Sequence, residues 1–148
     1  MTAVRPGPIL FFATGVSTMV GGIASANRNV FAALRAVGED RGCAVRALVL
    51  GEENASPGYQ TFNGDKARFA LAMLSGLPSA GLAVFDHVQL ATPILALPRW
   101  MRPPIVICAH GSEATWRLRS TSARVFREAE LVLANSSYTL HRMRAGLG

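Results

Sequence analysis

An α/β fold, a parallel sheet flanked by helices on both faces, is what the sequence predicts, on three observations. Short apolar runs alternate with longer amphipathic ones along the chain. The runs are too apolar to leave one face in water, which marks strands buried between helical layers. The first run also passes into its helix through a loop closed by Gly21-Gly22, a strand-to-helix turn of the kind such folds use.

The elements follow in order. Residues 8–14 read as a buried strand, residues 15–20 as a loop, and residues 23–37 as a helix with Ile23, Val30, Leu34 and Val37 on one stripe. Gly42 breaks the chain before a strand over 44–50. Residues 52–63, rich in Gly, Pro, Ser and Asn, read as a loop. Asp65 caps a helix over 65–74 with Phe69, Ala72 and Met73 inward, and Gly76-Leu77-Pro78 ends it. A strand over 82–86 leads to His87 and a short helix over 93–97, and Pro103-Pro104 introduces a strand over 105–109. A helix over 113–128 carries Leu118, Ser122, Val125 and Ala129 inward. A strand over 130–134 follows, and Ser136-Ser137 starts a last helix with Leu140, Met143 and Leu147 at helical spacing. Gly146 and Gly148 read as a helix cap, after which another strand is expected, so the chain reads as one half of a larger protein.

Composition narrows the function. Half of the 148 residues are hydrophobic and 16% are charged, which fits one folded domain rather than a disordered chain. No apolar run approaches the ~18 residues that span a bilayer. The start of the chain lacks a signal peptide's order of charge, apolar stretch and cleavage site, so a cytoplasmic location is expected. Cys43 and Cys108 lack metal-ligand or C-x-x-C spacing and read as reduced thiols, Cys108 as a small core residue. A catalytic Cys108–His110 pair is the weaker alternative, because a thiol buried in a strand is inert. Arg117, Arg119, Arg124, Arg127, Arg142 and Arg144 carry most of the +6 net charge. They form a solvated helical face or one that meets an anionic membrane; without interleaved aromatics they do not suggest nucleic acid.

In an open parallel sheet, ligands bind beyond the carboxyl ends of the strands. The candidates there are the Gly21-Gly22 turn, Glu52-Glu53, Asp86-His87 and His110-Gly111-Ser112-Glu113. Glycines before a helix bare backbone amides at the positive end of its dipole, which suits a phosphate, or they serve only to make the turn. Glu52 stands where a dinucleotide enzyme would hold ribose, although G-x-G-x-x-G is absent. His87 reads as structural. His110 lies between a strand end and a helix start, which opposes positive charge and favours a neutral imidazole able to donate to a ligand hydroxyl. Ser112 reads as a helix cap, since no G-x-S-x-G surrounds it.

Three segments in order resemble the N-terminal half of a family-four retaining glycosyltransferase of GT-B fold: residues 21–30, 109–117 and 129–139. The resemblance covers nearly the whole chain. It implies that residues 1–148 are the acceptor-side, Rossmann-like half of a GT-B architecture whose donor-binding C-terminal domain lies outside the chain. It further implies Gly21 and Gly22 against the donor diphosphate, and His110 beside the donor sugar as the catalytic residue. Gly111 and Glu113 would be substrate-binding, although Glu113, like Asn135 and Ser136, matches a motif position that also suits a structural role. The partners implied are a nucleotide-sugar donor and a glycan or lipid-linked acceptor, with contact at the inner membrane face and neither metal nor cofactor required. Ser25-Ala26 departs from the larger or basic residues common at that place in the family, which leaves the acceptor contacts open. The competing readings are a nucleotide-binding oxidoreductase or epimerase domain, and a non-catalytic α/β interaction module.

Overall fold

Every residue of Ile9–Ala13 is buried, because this run, β1, lies at the middle of a six-stranded sheet. The computed structural model describes residues 6–17, 21–54, 57–111 and 120–147. Beside β1 stand β2 (Val45–Val49), β3 (Tyr59–Thr61), β4 (Leu82–Phe85), β5 (Ile105–Ala109) and β6 (Leu131–Ala134), in the order β3-β2-β1-β4-β5-β6. All neighbouring pairs are parallel. The helices are α1 (Gly22–Arg41), α2 (Lys66–Gly76), α3 (Val88–Ala91), α4 (Ser120–Glu128) and α5 (Ser137–Leu147). The chain is therefore an α/β domain of Rossmann-like order, with helices on both faces of the sheet.

Alternation along each strand sorts the core into two clusters. On one face Leu10, Phe12, Ala83, Phe85, Ile105 and Ile107 meet Phe69 and Met73 of α2, Val88 of α3, Val125 of α4 and Met143 of α5. Phe12 stacks on Phe85 at 4.7 Å and meets Phe69 edge-on at 6.1 Å, contacts that contribute roughly 1 kcal/mol each beyond area burial. On the other face Phe11, Ala13, Ala47, Val49 and Val84 meet Phe31 of α1. Among the described residues, α1 is the helix that packs on this second face.

Four local readings are corrected. Of the expected stripe of α1, Val30 and Leu34 pack on the core, but Ile23 and Val37 are 42% and 44% exposed, and the buried positions are Ala24, Asn27, Phe31 and Gly38. The sheet thus selects a face rotated from the most apolar one, because Asn27 is needed beneath the preceding turn. The expected loop over 52–63 contains β3, a strand of only three residues whose half-exposed pattern lacks a core strand's apolar run. A helix begins directly after His87, at Val88, and passes into a 3₁₀ segment at Thr92–Ala96, where Pro93 removes an amide. In α5, Met143 is buried but Leu140 is 38% exposed, because Thr139 takes the inward place beside it. Leu118, Arg117 and Arg119 lie outside the described residues.

Arg102 and Glu128 join the segment before β5 to the end of α4. The guanidinium of Arg102 reaches the Glu128 carboxylate and donates to the carbonyls of Leu97 (2.8 Å) and Leu95 (3.2 Å). Burial, the largest single effect, works against the charge on Glu128. The hydrogen bond from Arg124 and the fields of Arg102, Arg99 and Arg124 together outweigh it and hold the carboxyl below its ordinary 4.5. A lowered folded-state value gives stability that is present above the ordinary carboxyl range and is lost as the pH falls through the folded value. Glu128→Gln should therefore lower thermal stability at neutral pH and flatten its decline between about pH 6 and pH 3; an unchanged acid limb would show the pair to be energetically idle.

The β6 edge is apolar and open on the α1 face, with Leu131 50% and Leu133 46% exposed. Native edges are more often blunted by charge or proline, and apolar patches of this kind are association sites. Light scattering of the chain at high concentration should show self-association that Leu131→Lys with Leu133→Lys removes. A clean monomer in the parent would count against it.

Candidate functional site at the carboxyl edge

The strand order reverses between β1 and β4, and in such sheets the crevice beyond that switch point receives ligands. Phe12, Phe85 and Ile107 share one row, so the turns leaving β1, β4 and β5 rise side by side. Adjacent strands are about 4.8 Å apart, which places the exits of β1 and β5 roughly 10 Å from one another with β4 between.

The turn leaving β1 is built on two buried carboxylates. Asp86, fully buried after β4, accepts through Oδ2 from the Thr14 amide (2.7 Å), the Thr14 hydroxyl (2.6 Å) and Asn27 Nδ2 (2.8 Å). Asn27 also donates to the carbonyl of Gly15 at 2.8 Å, tying α1 to the turn. From β2, Glu52 at 1% exposure accepts the amides of Val16 and Ser17, both at 2.5 Å, and the Ser17 hydroxyl at 2.9 Å. Because a carboxylate only accepts, Ser17 must give its proton to Glu52, and the hydroxyl of Tyr59 must donate to Ser17 Oγ (2.5 Å). Arg28 closes the ring on the carbonyl of Val16 at 3.0 Å.

This arrangement changes the expected anion site. The amides of Thr14, Val16 and Ser17 are not bare, since Asp86 and Glu52 already hold them. Among the described residues, none is found to hold the first amides of α1. Gly21, the N-cap, has φ +141°, a conformation that L side chains avoid, and nothing lies within 4 Å of where its Cβ would be. Among the described residues no side chain caps the helix and no acid stands in its first turn, where Gly21 and Gly22 are exposed. Glu52 is committed to this turn and so is poorly placed to hold a ribose; Glu53 is exposed.

The turn leaving β5 carries half-buried His110, followed by Gly111 at φ +97°. Asn135, after β6, donates Nδ2 to the carbonyl of His110 at 3.2 Å. Thr139 Oγ1 donates to Asn135 Oδ1 at 3.0 Å and meets Ser136 Oγ at 2.9 Å, while Ser136 Oγ accepts the Thr139 amide at 3.1 Å. A Cβ on Gly111 would approach Thr139 Oγ1 to 3.2 Å. His87 caps α3, its Nδ1 accepting from the Gln89 amide at 3.2 Å. Cys108 is buried on the α1 face and forms no disulfide. Ser112 and Glu113 lie outside the described residues.

The sheet therefore places the Gly21-Gly22 turn and the His110-Gly111 turn on one edge, across β4. Reading the sequence did not find the roles of Asp86, Asn27, Glu52 and Thr139. Asn27 and Thr139 did carry a signal, each being a polar residue at the inward position of a helix. No group of side chains among the described residues is arranged to hold a metal ion, and no described helix is long and apolar enough to cross a membrane. No protein-family model matches the chain, and no curated protein matches it in sequence.

Removing the Glu52 carboxylate would strand the buried Val16 amide and take the acceptor from the Ser17 amide. Glu52→Ala should cost about 3 kcal/mol in urea unfolding, and Glu52→Gln, which keeps an acceptor for those amides, clearly less. Equal stability of the alanine variant and the parent would remove the tether from the account.

Proposed function

We propose that the chain is the acceptor-side half of a nucleotide-sugar-dependent retaining glycosyltransferase, which moves a sugar from a nucleoside diphosphate onto a glycan or lipid-linked acceptor. The observation that carries this reading is the pairing, across β4, of an open helix start with a histidine-bearing turn. A sugar diphosphate presents both an anion and hydroxyls, and this edge offers helix-start amides for the one and an imidazole for the other. The resemblance of residues 21–30, 109–117 and 129–139 to that family supports the same assignment. In it, His110 contacts the donor sugar near the bond that breaks, while Gly21 and Gly22 let the diphosphate approach the backbone. The exposed arginines Arg127, Arg142 and Arg144 suit an acceptor held at an anionic membrane. The oxidoreductase reading loses its ribose-binding acid, since Glu52 is bound into the β1–α1 turn.

Titration of the chain with UDP-glucose, GDP-mannose and NAD, followed by amide NMR, tests the proposal. A nucleotide sugar should perturb Gly21, Gly22 and Gly111 at concentrations where NAD does not; preference for NAD would favour the oxidoreductase reading. In the enzyme that carries this domain, His110→Ala should lower turnover by roughly 10²–10⁴-fold, as for a positioned catalytic group, with thermal unfolding close to the parent. Normal turnover with a lowered melting point would make His110 a packing residue.

A further inference from the structure

We propose that Asn135 and Thr139 are positioning residues for His110, so that the β6–α5 junction sets the turn carrying the imidazole. The importance of the turn rests on the glycosyltransferase reading; the mechanical coupling does not. Gly111, at φ +97°, is the most permissive kind of link, and a turn built on it needs outside contacts to hold one geometry. It receives them from a segment 25 residues further on, through Asn135 Nδ2 on the carbonyl of His110. The Asn135 amide also donates to the carbonyl of Ala109 at 3.1 Å, one residue earlier.

The proton order in this cluster has one solution. Thr139 gives its proton to Asn135 Oδ1, so between the two hydroxyls Ser136 must donate to Thr139. Asn135 Oδ1 is thereby held toward Thr139, and its NH₂ is the end that faces His110. Without the Thr139 hydroxyl, Asn135 Oδ1 loses its donor, and the amide is held only by its one bond to the His110 carbonyl. Helix capping does not account for the arrangement, because Ser136 alone satisfies the Thr139 amide. Thr139 is 2% exposed, and its hydroxyl lies 3.2 Å from the place of a Gly111 Cβ, so it packs on the turn as well as ordering the amide.

The test uses the 148-residue chain and the histidine ring region of its ¹H–¹³C spectrum, with His110 assigned by its loss in His110→Ala. Thr139→Val, which keeps the shape and removes the hydroxyl, should move the His110 ring resonance beyond the parent linewidth and leave His87 in place. Thr139→Ser should restore the parent position. Asn135→Ala, at an exposed site that tolerates truncation, should move His110 in the same way, and it decides the matter if Thr139→Val does not fold. An unmoved His110 resonance in both Thr139→Val and Asn135→Ala would overturn the proposal, whatever their melting points. Thr139→Ser as displaced as Thr139→Val would overturn the role of the hydroxyl. No substrate enters the measurement, so failure to bind nucleotide sugars leaves this result standing, and the reverse holds equally.

Discussion

Glu52 and Asp86 hold the chain where it leaves β1, and the rest of the carboxyl edge is arranged around them. A central strand with both faces buried must end in a turn whose amides cannot all reach water. Here the acceptors come from the ends of the two neighbouring strands, Glu52 after β2 and Asp86 after β4. A buried carboxylate is costly alone and tolerable when several donors converge on it. Thr14, Val16, Ser17 and Asn27 are those donors, so the charges and the turn stabilise each other. Asn27 extends the arrangement into α1 and ties that helix to the turn.

The exit of β5 solves the same problem with the opposite chemistry. At β1 the backbone supplies donors and the neighbours supply carboxylates; at β5 the backbone supplies the His110 carbonyl and Asn135 supplies the N–H. Two carboxylates and the Arg28 guanidinium thus hold the one turn, and among the described residues neutral amide and hydroxyl groups hold the other. An anionic ligand on this edge would be kept from the start of the β1 turn and directed to the first turn of α1. That is a narrower site than a glycine-rich loop with bare amides would make.

Among the described residues the two faces of the sheet are covered unequally, for a topological reason. Right-handed crossovers put the connection from β1 to β2 on one face and those stepping the other way along the sheet on the opposite face. In keeping with this, α1 meets one core cluster, while α2, α3, α4 and α5 meet the other. Leu131 and Leu133 point to the α1 side of β6, at the far edge from α1 itself, and remain half exposed.

Much of the architecture was legible from local patterns. The apolar runs around Phe11, Val84 and Ile107 announced buried parallel strands, Asp65 announced the start of α2 and accepts the Arg68 amide at 3.0 Å, and the pattern placed His110 at a strand end. These features depend on neighbours in the chain, which a sequence displays directly. β3 was missed because an edge strand of three residues is defined by its pairing with β2 and has little pattern of its own. The buried stripe of α1 was misplaced for a related reason: hydropathy favours Ile23 and Val37, but the sheet needs Asn27 beneath the β1 turn. The turns that Glu52, Asp86 and Asn135 hold lie on other elements, 36, 72 and 25 residues away. Sequence thus determined the class of fold and the edge on which the candidate residues gather, since both follow from periodicity and from what terminates each strand. Tertiary structure alone decided which amides stay open and which turn is held by what, because a hydrogen bond's partner is chosen by position in space.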